Sequence, residues 1–301
     1  MKFDAIGFVR IVMIVWTLLS LFLILRDVFK HKDELDWKRA PLQFFIGMLV
    51  DFFDTWGIGC YAPNMAIWKF TGNSVHDDLV PGTLNLAHTV PVALEGILFL
   101  TFVEVEPLTL LGAMATAVLG SVTGARIVTR LNIDVIRYAM AACLIVVAII
   151  SVIKNAGLGP WAGSEGNVDI GLHGVKLIIF FIISYFCGAL MNLGFGYYAP
   201  CMGTVLAMGL QGACCFPIMM GACNVLMNAI VPGYIKANRY DRLATLMILP
   251  GGVIGVLAAY FTIKYAFSLH TLTYIVCVVM IITAVKYILD ANADRKAHAA
   301  A

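Results

Sequence analysis

The sequence contains few charged residues. Asp, Glu, Lys and Arg make up 13% of its 301 residues, whereas soluble domains carry roughly 25%. Hydrophobic residues make up 61%, and the mean hydropathy is +0.91. A soluble fold of this length could not bury so much apolar surface. The composition therefore excludes a soluble protein and indicates a lipid bilayer as the main solvent.

The sequence also lacks the usual signatures of enzymes and of nucleic-acid binding. It has no His-Glu-x-x-His, Gly-x-Ser-x-Gly or phosphate-loop motif, so we expect no catalytic residues, no metal site and no cofactor. Its net charge of +2 comes without a long basic run, which argues against a nucleic-acid partner. Eight cysteines fall mostly in apolar stretches, and we expect buried free thiols rather than a disulfide framework.

Long apolar runs occupy most of the chain. About 20 apolar residues are needed to cross the hydrocarbon core as a helix. The first run is too long for the apolar region of a typical signal peptide, so we expect a retained spanning helix. The polar, Ala-rich tail is expected to fray. The predicted helices are 7–28, 42–56, 63–72, 82–103, 107–129, 134–155, 172–193, 200–209, 210–233, 242–262 and 266–289.

One short motif occurs twice, and each copy interrupts an apolar stretch. Residues 57–65 read Gly-Ile-Gly-Cys-Tyr-Ala-Pro-Asn-Met, and residues 194–202 read Gly-Phe-Gly-Tyr-Tyr-Ala-Pro-Cys-Met. The copies lie nearly half the chain apart. A matched pair of Gly- and Pro-interrupted hydrophobic segments, one in each half, is typical of the binding site of a secondary transporter.

Further residues recur at a similar spacing, which predicts two duplicated units of four elements each. They are Pro81 with Pro217, His88 with Asn224, and Gly120 with Gly255. The predicted organisation is an N-terminal helix and linker (1–41), a first repeat (42–155), a connecting loop (156–171), a second repeat (172–290) and a polar tail (291–301).

Lys and Arg residues predict the orientation of the halves. The segment 26–39 carries five of them and is expected to be cytoplasmic, with the N-terminus outside and the basic tail inside. The first motif-bearing helix then enters from the inside and the second from the outside. We therefore predict an all-α, multi-pass protein of the inner (plasma) membrane. It contains an inverted repeat of helical bundles, each with a broken helix or hairpin at the midplane, after one leading helix.

The motif has the chemistry of an anion site. Glycine allows an unwound loop, and proline suits the first turn of a new helix. Two helix starts meeting near the midplane would present free N–H groups and positive dipole ends to a small anionic solute. The alternative is that Gly and Pro only permit close packing or a kink. The candidate substrate-binding residues are Gly57, Gly59, Tyr61, Pro63, Asn64, His88, Gly194, Gly196, Tyr198, Pro200, Cys201 and Asn224. Asn64 is best explained as a polar cap of its short helix.

Two acidic residues precede the first motif. Asp51 and Asp54 lie three apart, share a helix face and have no acidic counterpart in the second half. A carboxylate inside a membrane indicates a proton carrier or a cation ligand. The alternative is a watery vestibule or capping of exposed N–H groups. Glu95 is similar, with a weaker signal.

These features resemble the TauE/SafE family of sulfite and organosulfonate exporters. The resemblance covers 42–289 and consists of two halves, each with a hairpin broken by Gly-x-Gly-x-x-x-Pro and a Gly-rich fourth element. It implies a permease that moves small sulfur-containing anions, such as sulfite or sulfoacetate, usually outward. The residues to which it transfers are those at 57–63 and 194–200, and loosely His88 and Asn224.

Two other functions stay open from the sequence. A proton- or cation-coupled carrier or channel would use Asp51 and Asp54 for a different solute. A membrane redox or sulfur-handling protein would use Cys60, Cys201 or the vicinal pair Cys214 and Cys215, although no Cys-x-x-Cys and no nearby histidine accompany that pair.

Overall fold

A computed structural model describes residues 5–72, 74–162, 167–262 and 270–300. Within these ranges the chain is helical, with one isolated bridge between Asp169 and Leu210. The helices are α1 (Ala5–Lys30), α2 (Ala40–Thr55), α3 (Tyr61–Phe70), α4 (Val80–Ala87), α5 (Thr89–Phe102), α6 (Pro107–Val128), α7 (Ile133–Asn155), α8 (Gly174–Met191), α9 (Tyr198–Ala207), α10 (Cys215–Ala237), α11 (Arg242–Thr262) and α12 (His270–Ala300).

Six of the described helices are long and apolar enough to cross a membrane, and the bent pair α4–α5 makes a seventh if it is counted as one span. The predicted all-α class is therefore confirmed, and the length and composition of these helices are those of membrane-spanning segments. The predicted helix 242–262 matches α11, and most other ends agree within a few residues. The predicted start of 210–233 is early, because a short 3-10 turn (Gly212–Cys214) precedes α10.

The predicted helix 82–103 is present, but it is broken into two helices. The segment forms α4 and α5, which meet at His88 with a bend of 42°. Pro91 is the physical reason. It has no N–H to donate to the carbonyl four residues earlier, and its ring crowds that carbonyl. The break places His88 at the junction of two helices in the protein interior.

The predicted fraying of the tail is wrong for residues 291–300, which continue α12. Its many alanines, the residue with the highest helix propensity, favour the helix. The start of the predicted helix 266–289 and part of the predicted loop 156–171 lie outside the described residues.

In two helix pairs, glycines allow the two helices of the pair to approach each other closely. α2 packs along α11, and α8 packs along α6. A Cβ atom on Gly255 of α11 would lie 2.2 Å from the Met48 carbonyl oxygen of α2, and one on Gly120 of α6 would lie 1.9 Å from the Tyr185 carbonyl oxygen of α8. The backbones thus touch where only glycine fits. Each contact joins a helix of the N-terminal half to one of the C-terminal half.

The hairpin α2–α3 starts and finishes at one end of the molecule, which we call the Lys69 end. Arg39, just before α2, donates to the carbonyl of Ser74, just after α3. Fully buried Lys69 lies 2.8 Å from both Asp77 and Asp290. This end is closed by ion pairs between distant parts of the chain.

The hairpin α8–α9 starts and finishes at what we call the Glu106 end. Lys176, in the first turn of α8, donates to the Met208 carbonyl after α9 (2.7 Å), and His173 lies 3.5 Å from Glu106. α6 begins at Pro107, directly after Glu106, and runs for 22 residues, about 33 Å at 1.5 Å per residue. On the next helix, α7, Arg137 Nε lies 2.7 Å from Asp77 Oδ2. Asp77 also pairs with Lys69, so α6 ends near the Lys69 end. The two hairpins therefore open toward opposite ends.

Candidate functional site

The two motif loops turn the chain through glycines. Between α2 and α3, Gly57 and Gly59 have φ values of 84° and 91°, and between α8 and α9, Gly194 has a φ of 85°. L-residues with a side chain rarely adopt this left-handed region. Pro63 and Pro200 lie in the first turns of α3 and α9, as predicted. Each loop ends one helix and starts another inside the protein.

The two motifs meet in the interior. A Cβ atom on Gly194 would lie 2.8 Å from the terminal carbon of Met65. The Tyr198 hydroxyl donates to Glu95 Oε2 at 3.1 Å and lies 3.5 Å from Asp54 Oδ2. Residues of the second motif therefore contact both α3 and the acidic residues of the first half.

Five polar and titratable residues form what we call the central cluster: Asp51, Asp54, Cys60, His88 and Glu95. None of them is more than 4% exposed. They come from the end of α2, the loop before α3, the α4–α5 junction and α5. Cys60 and His88 lie at helix breaks, and Asp51, Asp54 and Glu95 lie within the helices that flank those breaks.

Hydrogen bonds set the orientation of His88. Its Nδ1 lies 2.8 Å from Asp51 Oδ1, and its Nε2 lies 2.8 Å from the Asn64 side-chain nitrogen. With the amide in this orientation, Asn64 donates to Nε2, and His88 donates its Nδ1 proton to Asp51. Asn64 therefore holds His88 rather than capping α3, whose N-cap residue makes no side-chain capping bond. The predicted capping role is wrong.

Several buried oxygens of the site have no hydrogen-bond partner among the described residues. They are Asp51 Oδ2, Asp54 Oδ1 and Asn64 Oδ1. A buried polar atom without a partner costs about 1–3 kcal/mol, and more when it is charged. Asp51 Oδ2 lies against Gly252 of α11, where a Cβ atom would be 2.1 Å away. The site thus has acceptor capacity that the protein itself does not use.

The balance of charge at the site is acidic. Three carboxylates face one histidine, and the buried Lys69 is bound to Asp77 and Asp290 at the Lys69 end. Lys154 reaches the first motif loop, where it donates to the Gly57 carbonyl at 3.3 Å. The Asp54 carboxylate lies near Cys60, the N-cap residue of α3. The start of α3, predicted to face an anionic solute, therefore already faces a carboxylate of the protein.

Three residues of the central cluster could hold a metal ion. One ligand atom from each of Asp51, Cys60 and His88 lies within 4.8 Å of the other two, and all three residues are buried. Carboxylate oxygen, thiolate sulfur and imidazole nitrogen are all zinc ligands. The sequence did not indicate this group, because the three residues follow no metal-ligand spacing. Only the break at His88 and the loop before α3 bring them together.

Other predicted site residues lie apart from the central cluster. Asn224, predicted as the counterpart of His88, donates to Thr17 Oγ1 (3.0 Å) and to the Thr89 carbonyl (3.1 Å). It links α10 to α1 and α5. Cys201 is buried in α9, and a Cβ atom on Gly196 would meet nothing within 4 Å. Tyr61, by contrast, lies beside the central cluster: its ring centroid is 6.1 Å from that of His88, and its hydroxyl donates to Asn85 at 3.0 Å.

Sequence reasoning undervalued Glu95 and Thr55. Thr55 donates to Glu95 Oε1 at 2.7 Å, and both residues are fully buried. The available signal was an acidic residue in an apolar helix, seven positions after His88 and thus about two turns along the same face.

All eight cysteines are free and buried, which confirms the prediction of buried free thiols.

A cavity of about 720 Å³ lies at the Glu106 end. Arg10, Leu100, Glu104 and His173 are among the residues that line it. Leu100 is five residues beyond Glu95 on α5, about 7.5 Å along the helix axis. The central cluster is therefore separated from this cavity by little more than one helical turn.

Comparisons with known protein families, with curated proteins and with solved structures find no match to this chain.

Proposed function

We propose that this protein is a secondary membrane transporter whose halves form an inverted repeat and whose central cluster binds a cation. The observation that carries the proposal is the pair of buried carboxylate oxygens, on Asp51 and Asp54, that have no protein partner. Ionisable groups at membrane depth are costly and usually belong to an ion pathway. A cation between the two carboxylates would offset that cost.

The contacts between elements support the inverted repeat. The hairpins α2–α3 and α8–α9 open toward opposite ends. α2 of the first half packs on α11 of the second, while α8 of the second half packs on α6 of the first. α7 and α12, the last helices of the two halves, also pack together. The contact of α2 with α11 thus corresponds to the contact of α8 with α6. A pseudo-twofold axis in the membrane plane would produce this correspondence.

The state of the two ends supports alternating access. Ion pairs close the Lys69 end, and a cavity approaches the central cluster from the Glu106 end. Transport would open the Lys69 end and close the cavity at the Glu106 end, while the binding site stays fixed. We place the protein in the inner (plasma) membrane, with its N-terminus outside and its C-terminus in the cytoplasm, because of the Lys and Arg distribution.

The test is cation flux into proteoliposomes. Protons, sodium, magnesium and zinc are offered one at a time, and each flux is read with an indicator trapped inside. We expect flux of at least one cation, abolished by the double change Asp51→Asn and Asp54→Asn. The control Glu34→Gln removes an exposed acid and should leave the flux unchanged. The absence of flux with every cation would refute the proposal.

A second candidate is export of a small sulfur-containing anion, as the TauE/SafE resemblance implies. The meeting of the α3 and α9 starts favours it, because helix starts present positive dipole ends to anions. The same double variant separates the two functions. A cation carrier loses transport when Asp51 and Asp54 are neutralised, whereas an anion carrier keeps sulfite or sulfonate flux because a repulsive charge has been removed.

A further inference from the structure

We propose that the cation bound by the central cluster is a divalent transition-metal ion of the zinc, cobalt or nickel type, held by Asp51, Cys60 and His88. This inference deepens the proposed function and rests on its cation site. It names the class of ion, which the acidic residues alone leave open between protons, alkali ions and metals.

The spacing of the ligand atoms fits such an ion. One ligand atom from each residue lies within 4.8 Å of the other two, and His88 Nδ1 and Asp51 Oδ1 are 2.8 Å apart. With bonds of about 2.0–2.3 Å, the ligand atoms of a tetrahedral ion lie roughly 3.3–3.8 Å apart. Side-chain movements on the order of 1 Å would close the site around the ion.

The types of donor select the ion. A thiolate and an imidazole are soft or borderline ligands that suit zinc, nickel and related metals, whereas magnesium and calcium prefer oxygen ligands only. A site for an alkali or alkaline-earth ion would have no use for the sulfur of Cys60. Asp54, whose Oδ1 has no protein partner, lies outside this group of three and would have to move toward the ion to become a fourth ligand.

Asn64 supplies an independent observation. Its amide oxygen is buried without a partner, while its nitrogen lies 2.8 Å from His88 Nε2. A metal-ligating histidine almost always donates its other ring N–H to an oxygen acceptor. If the metal takes Nδ1, the Nε2–H needs such an acceptor, and a half-turn of the amide provides Asn64 Oδ1. The orphan oxygen is then the outer-shell partner of the metal ligand.

The experiment is titration of the purified, full-length protein with Co²⁺, followed by absorption spectroscopy. We expect one bound ion per chain and a thiolate-to-cobalt charge-transfer band. The variant Cys60→Ser should lose the band, and His88→Gln should weaken binding more than about 100-fold. Asn64→Ala should weaken it about 10–100-fold, the range for outer-shell partners. Cys187→Ser is the matched control, since Cys187 is another buried free cysteine, and it should keep the band.

The outcomes separate this inference from the proposed function. A wild-type protein without the band, or a band that survives Cys60→Ser, overturns the metal site. If the vesicles then still transport protons or sodium, the proposed transporter stands. A cobalt band in a protein that moves no cation would support the metal site and overturn the transporter. Thermal unfolding of each variant shows that a lost band reflects a lost ligand in a folded protein.

Discussion

Replacing Gly120 or Gly255 by alanine should destabilise the protein. Each of these buried glycines lies where the backbones of two helices from different halves touch, and a methyl group has no room there. Heavy atoms essentially never lie within 3.0 Å of a Cβ atom, and the added Cβ would lie 1.9 Å from its neighbour at Gly120 and 2.2 Å at Gly255. The helices must therefore separate by at least 1.1 Å (3.0 − 1.9) and 0.8 Å (3.0 − 2.2). Backbone carbonyls cannot rotate away as side chains do.

Overpacking of this kind costs about 1–3 kcal/mol. Alanine recovers up to about 1 kcal/mol through its higher helix propensity. Because the clashing neighbours are backbone carbonyls, we take the upper part of the overpacking range, about 2–3 kcal/mol. After a propensity gain of about 1 kcal/mol, we expect Gly120→Ala and Gly255→Ala each to lower the free energy of unfolding by about 1–2 kcal/mol, with the larger effect at Gly120. The two sites lie in different helix pairs, so the double variant should show nearly additive losses.

The measurement is thermal or denaturant unfolding of the purified protein in one detergent. Gly233→Ala in α10 is the matched control, since its Cβ atom would meet nothing within 4 Å, and it should be neutral or slightly stabilising. Two variants as stable as the wild type would refute the helix contacts on which the proposed inverted repeat rests. A loss at only one of the two sites would refute the matched arrangement of the halves.

Three further changes test the ion pairs, the helix starts and the interhelical bonds. Lys69→Met removes the buried amine between Asp77 and Asp290. It should lower stability in the same unfolding assay, by less than the roughly 3–5 kcal/mol of a buried charge left without any partner, because Arg137 still pairs with Asp77; an unchanged midpoint would contradict the described closure of the Lys69 end. Pro63→Leu and Pro200→Leu, made separately, should both reduce flux in proteoliposomes, and full flux in either would contradict a site shared by the two motifs. Asn224→Ala removes hydrogen bonds between helices and should cost about 0.6–1.7 kcal/mol without changing cobalt affinity, so a tenfold loss of that affinity would place Asn224 in the site after all.

Much of the fold follows from local patterns in the sequence. The ends of α11 are those predicted, and the starts of α3 and α9 follow from Pro63 and Pro200. These features depend on neighbouring residues, since apolar run length sets a spanning helix and proline sets a first turn. The break at His88 was also encoded locally, by Pro91, but apolarity over the whole of 82–103 concealed it.

The central cluster could be predicted only in part. Asp51 and Asp54 stand out as charges in an apolar run, and His88 as a polar residue in a helix. Their proximity to Cys60 and Glu95 depends on how α2 packs relative to α5. The spacing of residues along the chain does not predict that packing. His88 and Asn224, at matching positions in the two halves, bind different neighbours for the same reason.

The most direct test of the central claim is a cryo-EM map of the protein in lipid nanodiscs with added zinc. We predict that 57–63 and 194–200 lie together midway through the bilayer, with an additional density peak within bonding distance of Asp51, Cys60 and His88. A map with the two motifs at opposite membrane faces, or with both against lipid and far apart, would contradict the account.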